Sequence, residues 1–494
     1  MKPRTTLLLI AGLTMTSAFA AEDPVSPIIR SSYNPAATTP GQAHLLNEWL
    51  RERNDAFDHF DLGLDFRVRF EHKEHFAIAG IPGAIDFRKY NMPTGNSYWL
   101  FRTRPHLGLK PTDWLYGFAE GRDSFTENDK RVAQPESDRI DLQRAFVQFG
   151  NAERFPLLAK VGRQHLSYGD ERLAGAFEWN NLGRIYDAAK LRYERDGLWV
   201  DGFVGRPIMF DDGQFNTVNN YEWFWGAYSG TRKLFAKQDT EFYFLGHNAS
   251  PQAQTTQAGA IGVRPTARDV YTIGSRIKSL PGLFCGWDYR AEVARQFGRH
   301  KHTNAGPRLD HAAFALSAEG GYTWDSSSLQ PRLGLTYNFS SGDDDPNDGS
   351  HNTFDNLFPT NHKFYGHMDF QSWRNMHNPR LRFSLKPAKG LVVAVDYHLF
   401  WLASTEDFFY SVRGAPRTGA APGSGQGYGL NPGYSNFVGS EIDLVASYSF
   451  KSFLKAQAGY GHFFVGDYVK QSLAAPTFGS ADADWVYIQA LLIF

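Results

Sequence analysis

Polar and apolar residues alternate along much of this chain. In "DLGLDFRVRFE", Leu62, Leu64, Phe66, Val68 and Phe70 fall on one face, and Asp61, Asp65, Arg67, Arg69 and Glu71 on the other. A period of two is what an extended strand imposes, because successive side chains leave opposite sides of the backbone. The same split separates Trp99, Phe101, Leu107 and Leu109 from Arg102, Arg104, His106 and Lys110. It recurs where Leu333, Leu335, Tyr337 and Phe339 oppose Arg332, Thr336 and Asn338, and where Leu381, Phe383 and Leu385 oppose Arg380, Arg382 and Lys386. Ile442, Leu444, Ala446 and Tyr448 likewise stand against Glu441, Asp443, Ser447 and Ser449. In the final stretch, "DWVYIQALLIF", Val486, Ile488, Ala490, Leu492 and Phe494 share one face and Tyr487, Gln489 and Leu491 the other. A strand that stays apolar to its last residue is expected to pair along both edges, as a closed barrel allows.

Strands are placed roughly at 61–72, 97–110, 113–124, 138–149, 157–167, 186–195, 198–207, 221–230 and 239–248 from this alternation. The remainder fall roughly at 268–278, 286–297, 310–325, 330–340, 379–386, 391–403, 438–449, 454–465 and 484–494. That makes about eighteen, and the connections between them alternate in length. Those after odd-numbered strands are long; nearly all those after even-numbered strands, such as "PT", "RDG", "SSSL", "KPAKG" and "FKSF", are short, with "GTRKLFAKQD" the exception in degree. A soluble β-sandwich also alternates, but it has no reason to sort its loops by parity. A transmembrane barrel does, with short periplasmic turns at one rim and long extracellular loops at the other. The expected fold is therefore all-β: a transmembrane antiparallel β-barrel.

Composition supports this. No stretch after residue 20 reaches the about 18 uninterrupted apolar residues of a membrane-spanning helix, which leaves a closed barrel as the spanning solution. Aromatic residues make up 15% of the chain, ample for interfacial girdles. The single Cys285 excludes an intramolecular disulfide, and 51 Lys and Arg against 52 Asp and Glu give no net-charge case for a nucleic-acid partner. The opening "MKPRTTLLLIAGLTMTSAFA" has Lys2 and Arg4, a short apolar run and small Ala18 and Ala20, the form of a secretory signal peptide over 1–20. Residues 21–59 are expected to be a periplasmic segment in which Leu45, Leu46, Trp49 and Leu50 give a short amphipathic helix at the mouth, with the barrel spanning 60–494.

Function is expected on the inward, polar face. By phase, Arg67, Arg69, Arg102, Arg104, Arg332, Arg380 and Arg382 project there, joined by Arg144 of "DLQRAFVQF". Facing them are Asp61, Asp65, Glu71, Glu292, Asp396, Glu441 and Asp443. Rings of Arg select anions in pores, whereas the structural alternative is that these charges pair across strands and fill the lumen. "GRQHLSYGDERLAG" suits a charged loop folded inward as a constriction; Arg163 reaches the pore only if Gly162 forms a bulge, since alternation puts it on the face of Val161. "SSGDDDPNDGSHNTFDNLF" brings Asp343, Asp345 and Asn347 together as a calcium candidate, although Asp348 stands where an EF-hand loop has its glycine. His351, Asp355 and His362 share one loop, yet no local nucleophile motif such as G-x-S-x-G occurs, so no enzyme and no cofactor is expected.

These residues, in order, resemble the alginate export family of outer-membrane porins. The matching pieces are "FRVRFE" with Arg67, Arg69 and Glu71, Arg104-Pro105, "GRQHLSYGDERLAG", "SSGDDDPNDGSHNTFDNLFP", "DYHLFWLA", "GSEIDLV" and Phe494. The resemblance implies an eighteen-stranded barrel in the outer membrane of a Gram-negative bacterium, with an electropositive lumen through which an anionic uronate polysaccharide or oligosaccharide leaves the cell. It also implies recognition of the C-terminal strand by the barrel insertion machinery. Family members that export alginate carry a long, pore-plugging turn before the penultimate strand, where this chain has only "FKSF". Uptake of small anionic solutes is the alternative, and a soluble secreted carbohydrate-binding β protein is a third.

Overall fold

Alternation in the sequence becomes eighteen long antiparallel strands that close on themselves. The computed structural model describes residues 45–494 apart from 133, 152–153, 236, 254–265, 281–283, 302–304, 419–426 and 451–452. The expected leader, the segment that follows it to residue 44 and the interior of "FKSF" lie outside the described residues.

The first nine strands are Phe60–Glu74, Asn96–Thr112, Leu115–Glu127, Asp138–Phe149, Leu157–Gln164, Tyr186–Arg195, Leu198–Met209, Glu222–Thr231 and Gln238–Ala249. The second nine are Arg268–Ser279, Trp287–His300, Leu309–Thr323, Arg332–Ser340, Met376–Ala388, Leu391–Trp401, Phe437–Phe450, Leu454–Val465 and Ala483–Ile493. Each pairs with its sequence neighbours, and the first pairs with the last from Asp65–Ile493 to Glu74–Asp484. Closure satisfies every edge, which an open sheet in lipid could not do. Connections after odd-numbered strands include 75–95, 165–185, 341–375 and 402–436; those after even-numbered strands include 113–114, 196–197 and 389–390. The connection 301–308 is the short one in the long set.

Outward positions such as Leu335, Ile488, Ile273, Val161 and Leu191 are exposed, and their inward neighbours Thr336, Gln489, Thr272, Lys160 and Lys190 are buried. An apolar exterior around a polar interior inverts the soluble arrangement and suits lipid outside. No described helix is long and apolar enough to cross a membrane.

The lumen is not open tube throughout. Two long connections, 165–185 and 341–375, fold inward and lock together. Phe358 N–H donates to Leu173 O at 3.0 Å, Gly175 N–H to Phe358 O at 2.8 Å and Thr360 N–H to Glu171 O at 2.8 Å. Buried backbone must find such partners away from water. Leu166, Leu173 and Trp179 of one loop and Phe354, Phe364, Met368 and Trp373 of the other join wall residues Trp485, Tyr487 and Phe463 in one apolar core inside the barrel.

Three local elements carry no clear mark in the sequence. Thr217–Val218 pairs with Ile208–Met209, Ser350–His351 runs parallel to Asp310–His311, and a helix at Asp467–Ser472 buries Tyr468 and Val469. The helix Leu45–Arg51 does form, but its docking differs from the apolar stripe expected. Leu46 and Trp49 are exposed, whereas Asn47 is buried. Asn47 Nδ2 donates to Asp61 Oδ1 at 2.8 Å, and Asn47 Oδ1 accepts the Leu62 N–H at 2.7 Å. Arg51 Nη2 donates to Phe60 O at 2.6 Å. The helix thus supplies hydrogen bonds to the first strand below the register it shares with the last strand.

Candidate functional site

The inward loops are seated on two charged patches of the barrel wall, one rich in arginine and one carrying three carboxylates beside two arginines. The first patch is on the first two strands, where Arg67 lies opposite Arg102 in register and Asp65 opposite Arg104. Arg67, Arg69, Arg102 and Arg104 are all buried there. Alternation carries them inward, and the loop meets them mainly with backbone oxygens. Arg67 donates to Glu178 O at 2.8 Å and Asn181 Oδ1 at 3.0 Å, and Arg69 to Trp179 O at 2.7 Å while its guanidinium lies 3.9 Å from the Trp179 ring centroid. Arg102 donates to Glu178 O at 3.3 Å. Arg104 binds the Glu178 carboxylate at 2.7 Å, with Arg102 at 3.4 Å from the same oxygen. Burial works to raise the Glu178 carboxyl, but Arg104 and Arg102 outweigh it and hold the group below the usual carboxylate range.

The second patch is on the fourteenth to sixteenth strands, separated from the first by the seventeenth and eighteenth. Arg380 and Arg382 converge on Asp396 at 2.5 and 3.3 Å. Asp396 lies opposite Asp443, and His398 opposite Glu441. Glu441 and Asp443 accept backbone N–H groups of the second loop, from Met368 at 2.9 Å and His367 at 3.3 Å. Gly366 has a left-handed φ of +85° and passes so close to Glu441 that a Cβ would lie 2.5 Å from its oxygens, so glycine is required there.

Other residues singled out in the sequence are placed as follows. Glu71 is buried and accepts from Tyr98, Trp485, Arg69 and Lys73. Arg144 faces the lumen because a register shift between Glu120 and Gly121 opposite it brings it alongside Glu120, which it binds at 2.5 and 2.9 Å. Arg332 sits near the short-turn rim on Asp288 and Glu319. Arg163 corrects the expectation of a bulge: Gly162 takes a left-handed φ of +125° with no shift in register, so Arg163 stays on the face of Val161 and pairs with Asp187. The calcium candidate is not assembled. Asp343 turns inward beside Asp407, while Asp345 and Asn347 are exposed and bonded to each other as a local turn. Among the described residues no group of three or more His, Cys, Asp or Glu is placed to hold a metal.

Alternation could not reveal the partners that complete the site. Glu178, Trp179 and Asn181 lie in "GAFEWNNLG", outside any strand, and their only mark is an aromatic and two amides between glycines. Glu171 and Asp170 carry the loop across the lumen, Glu171 to Lys363 at 2.8 Å and Asp170 to Arg276 at 2.5 Å. The site as a whole offers buried guanidinium donors to carboxylate and carbonyl oxygens at a narrowed point of a barrel.

Comparison with known proteins agrees. The alginate export family profile matches residues 58–475. No curated protein matches this chain. Among solved structures, Pseudomonas aeruginosa OpdO is similar, with TM-score 0.54 and 14% identity over 88% of this chain and 97% of that one. Pseudomonas aeruginosa OccK3 (OpdO) gives 0.52 and 13% over 88% and 96%, and OpdK with vanillate gives 0.51 and 10% over 88% and 98%. At these identities the likeness is one of fold. With a profile match across most of its length and a closed eighteen-stranded barrel, this chain belongs to the alginate export family, as an outer-membrane β-barrel channel of a Gram-negative bacterium.

Proposed function

We propose that the channel passes carboxylate-bearing saccharides of the uronate class, as single units or short oligomers, in preference to neutral sugars. The observation that carries this is the buried arginine wall, Arg67, Arg69, Arg102 and Arg104, at the place where loop 165–185 narrows the lumen. Fixed guanidinium charge in a low-dielectric passage favours entry of anions. Toward the short-turn rim the same sign continues along neighbouring strands: Lys160 faces Lys190 in register, and Arg192 lies beside it on Asp201. Interlocked loops across the lumen favour small solutes over a polymer. OpdK, of similar fold, has been solved with vanillate, a small carboxylate. Direction then follows the solute gradient, and uptake is the reading this favours. Export of an anionic polysaccharide is the second reading, supported by the family's description.

Planar-bilayer reversal potentials under a KCl gradient, with liposome flux of glucuronate, glucose and alginate of graded length, test both readings. Anion preference and faster flux of glucuronate than glucose are expected, with flux falling steeply as the chain lengthens. Changing Arg67, Arg104 and Arg382 together to Glu is expected to move the reversal potential toward cation preference. Equal flux of glucuronate and glucose would overturn the proposal, and flux independent of chain length would favour export of polymer.

A further inference from the structure

We propose that Glu178 is an internal stand-in for the solute: its carboxylate fills an anion seat formed by Arg102 and Arg104, and a permeating carboxylate exchanges with it. This rests on the reading that the channel passes acidic saccharides.

The seat is built from buried groups. Glu178, Arg102 and Arg104 are each 2–4% exposed. Glu178 Oε2 lies 2.7 Å from Arg104 Nη1 and 3.4 Å from Arg102 Nη1. Arg67 stands opposite Arg102 and holds the backbone oxygen of Glu178, so two guanidinium groups meet the carboxylate and a third fixes the residue that carries it. The fork of Arg104 is only partly used, because its Nη2 and Nε make no hydrogen bond, and Glu178 Oε1 also makes none. A guanidinium can give a carboxylate two parallel N–H donors, so this single-bonded arrangement is weaker than one a free carboxylate could form. His165 Nε2 lies 3.6 Å from Oε1, too far for a hydrogen bond.

The side chain can leave while its loop stays. Arg67 holds Glu178 O and Asn181 Oδ1, Arg69 holds Trp179 O, and Glu136 Oε1 accepts the Asn181 N–H at 3.0 Å. None of these bonds uses the Glu178 carboxylate. Exchange replaces one carboxylate with another, so the arginines never face the lumen uncompensated. A neutral sugar cannot make that exchange without leaving buried cations unpaired, a cost that opposes its entry. The same contact that screens the seat at rest therefore selects for acids.

The test is glucuronate block of ion current in planar bilayers, read as the half-blocking concentration, for the wild-type chain, Glu178→Gln, Glu178→Asp, and Glu222→Gln as a control. Glu222 is a buried lumen carboxylate bound to His247 and Asn219, so its neutralisation changes the lumen charge equally without touching the seat. Removing an intramolecular competitor is expected to lower the half-blocking concentration in Glu178→Gln by about tenfold. Glu178→Asp, which shortens the reach by one methylene, is expected to fall between, and remains informative if the Gln variant does not insert. Adding Arg104→Gln to Glu178→Gln is expected to abolish the gain. An unchanged half-blocking concentration in Glu178→Gln, or an equal drop in Glu222→Gln, overturns the proposal. A wild-type channel with neither anion preference nor glucuronate block refutes the parent reading instead.

Discussion

Glu71 takes donors from three different strands: Arg69 and Lys73 at 2.7 and 2.8 Å on its own, Tyr98 at 3.0 Å from the second and Trp485 at 3.2 Å from the last. A buried carboxylate in such company is costly to remove, because the cations around it stay behind. Glu71→Ala is expected to lower unfolding stability in detergent by about 3–5 kcal/mol, and Glu71→Gln by less. Urea titration followed by tryptophan fluorescence measures this, and an unchanged midpoint would show that lumen water compensates. Asp343 offers a second test at this scale. Burial, and then its neighbour Asp407, push its carboxyl up from 3.8 to about 6. A carboxyl raised on folding favours the folded arrangement when protonated, so its support is complete below 3.8 and is lost as pH rises through about 6. Amide exchange in residues 341–348, corrected for intrinsic rates, is expected to slow from pH 7 to pH 5, and Asp343→Asn is expected to remove that dependence. A wild-type profile flat between those pH values would contradict it.

At the scale of elements, the strands were legible because lipid on one side and polar lumen on the other force a period of two over long stretches. Arg67, Arg69, Arg102, Arg104, Arg380 and Arg382 inherited their inward direction from that period alone. Arg163 shows its limit: a left-handed glycine hints at a bulge, yet only pairing with the neighbouring strand decides whether register shifts. The helix Leu45–Arg51 shows another. Its 3.6-residue spacing is visible in Leu45, Leu46, Trp49 and Leu50, but it docks through Asn47, since what the first strand lacks at Leu62 is an acceptor rather than apolar cover. Asn47→Ala is expected to cost about 1 kcal/mol by leaving that N–H without its partner. The readout is the temperature at which the heat-modified band appears on a gel, and no shift would mean that Arg51 alone retains the helix.

At the scale of the whole molecule, barrel and inward loops form two nested structures. The barrel could be read from the chain, and "GRQHLSYGDERLAG" suggested a loop turned inward; the contacts that seat the loops could not be read, because many of their partners are backbone carbonyls and amides, which no side-chain pattern marks. A closed sheet with every edge paired is expected to need boiling before its mobility on a detergent gel changes, and identical migration of boiled and unboiled samples would count against closure. The bonds between residues 171–175 and 358–360 give this nesting a mechanical meaning. Drawn out of a membrane from its C-terminal end, the chain would peel away hairpin by hairpin, the first of them also parting connection 466–482 from Phe87, Lys89 and Tyr90. When the pull reaches loop 341–375, however, it must also tear Phe358 and Thr360 from a loop whose own strands still stand upright in the wall. The cross-link makes the tube behave there as a braced column, so the force trace should rise at that hairpin.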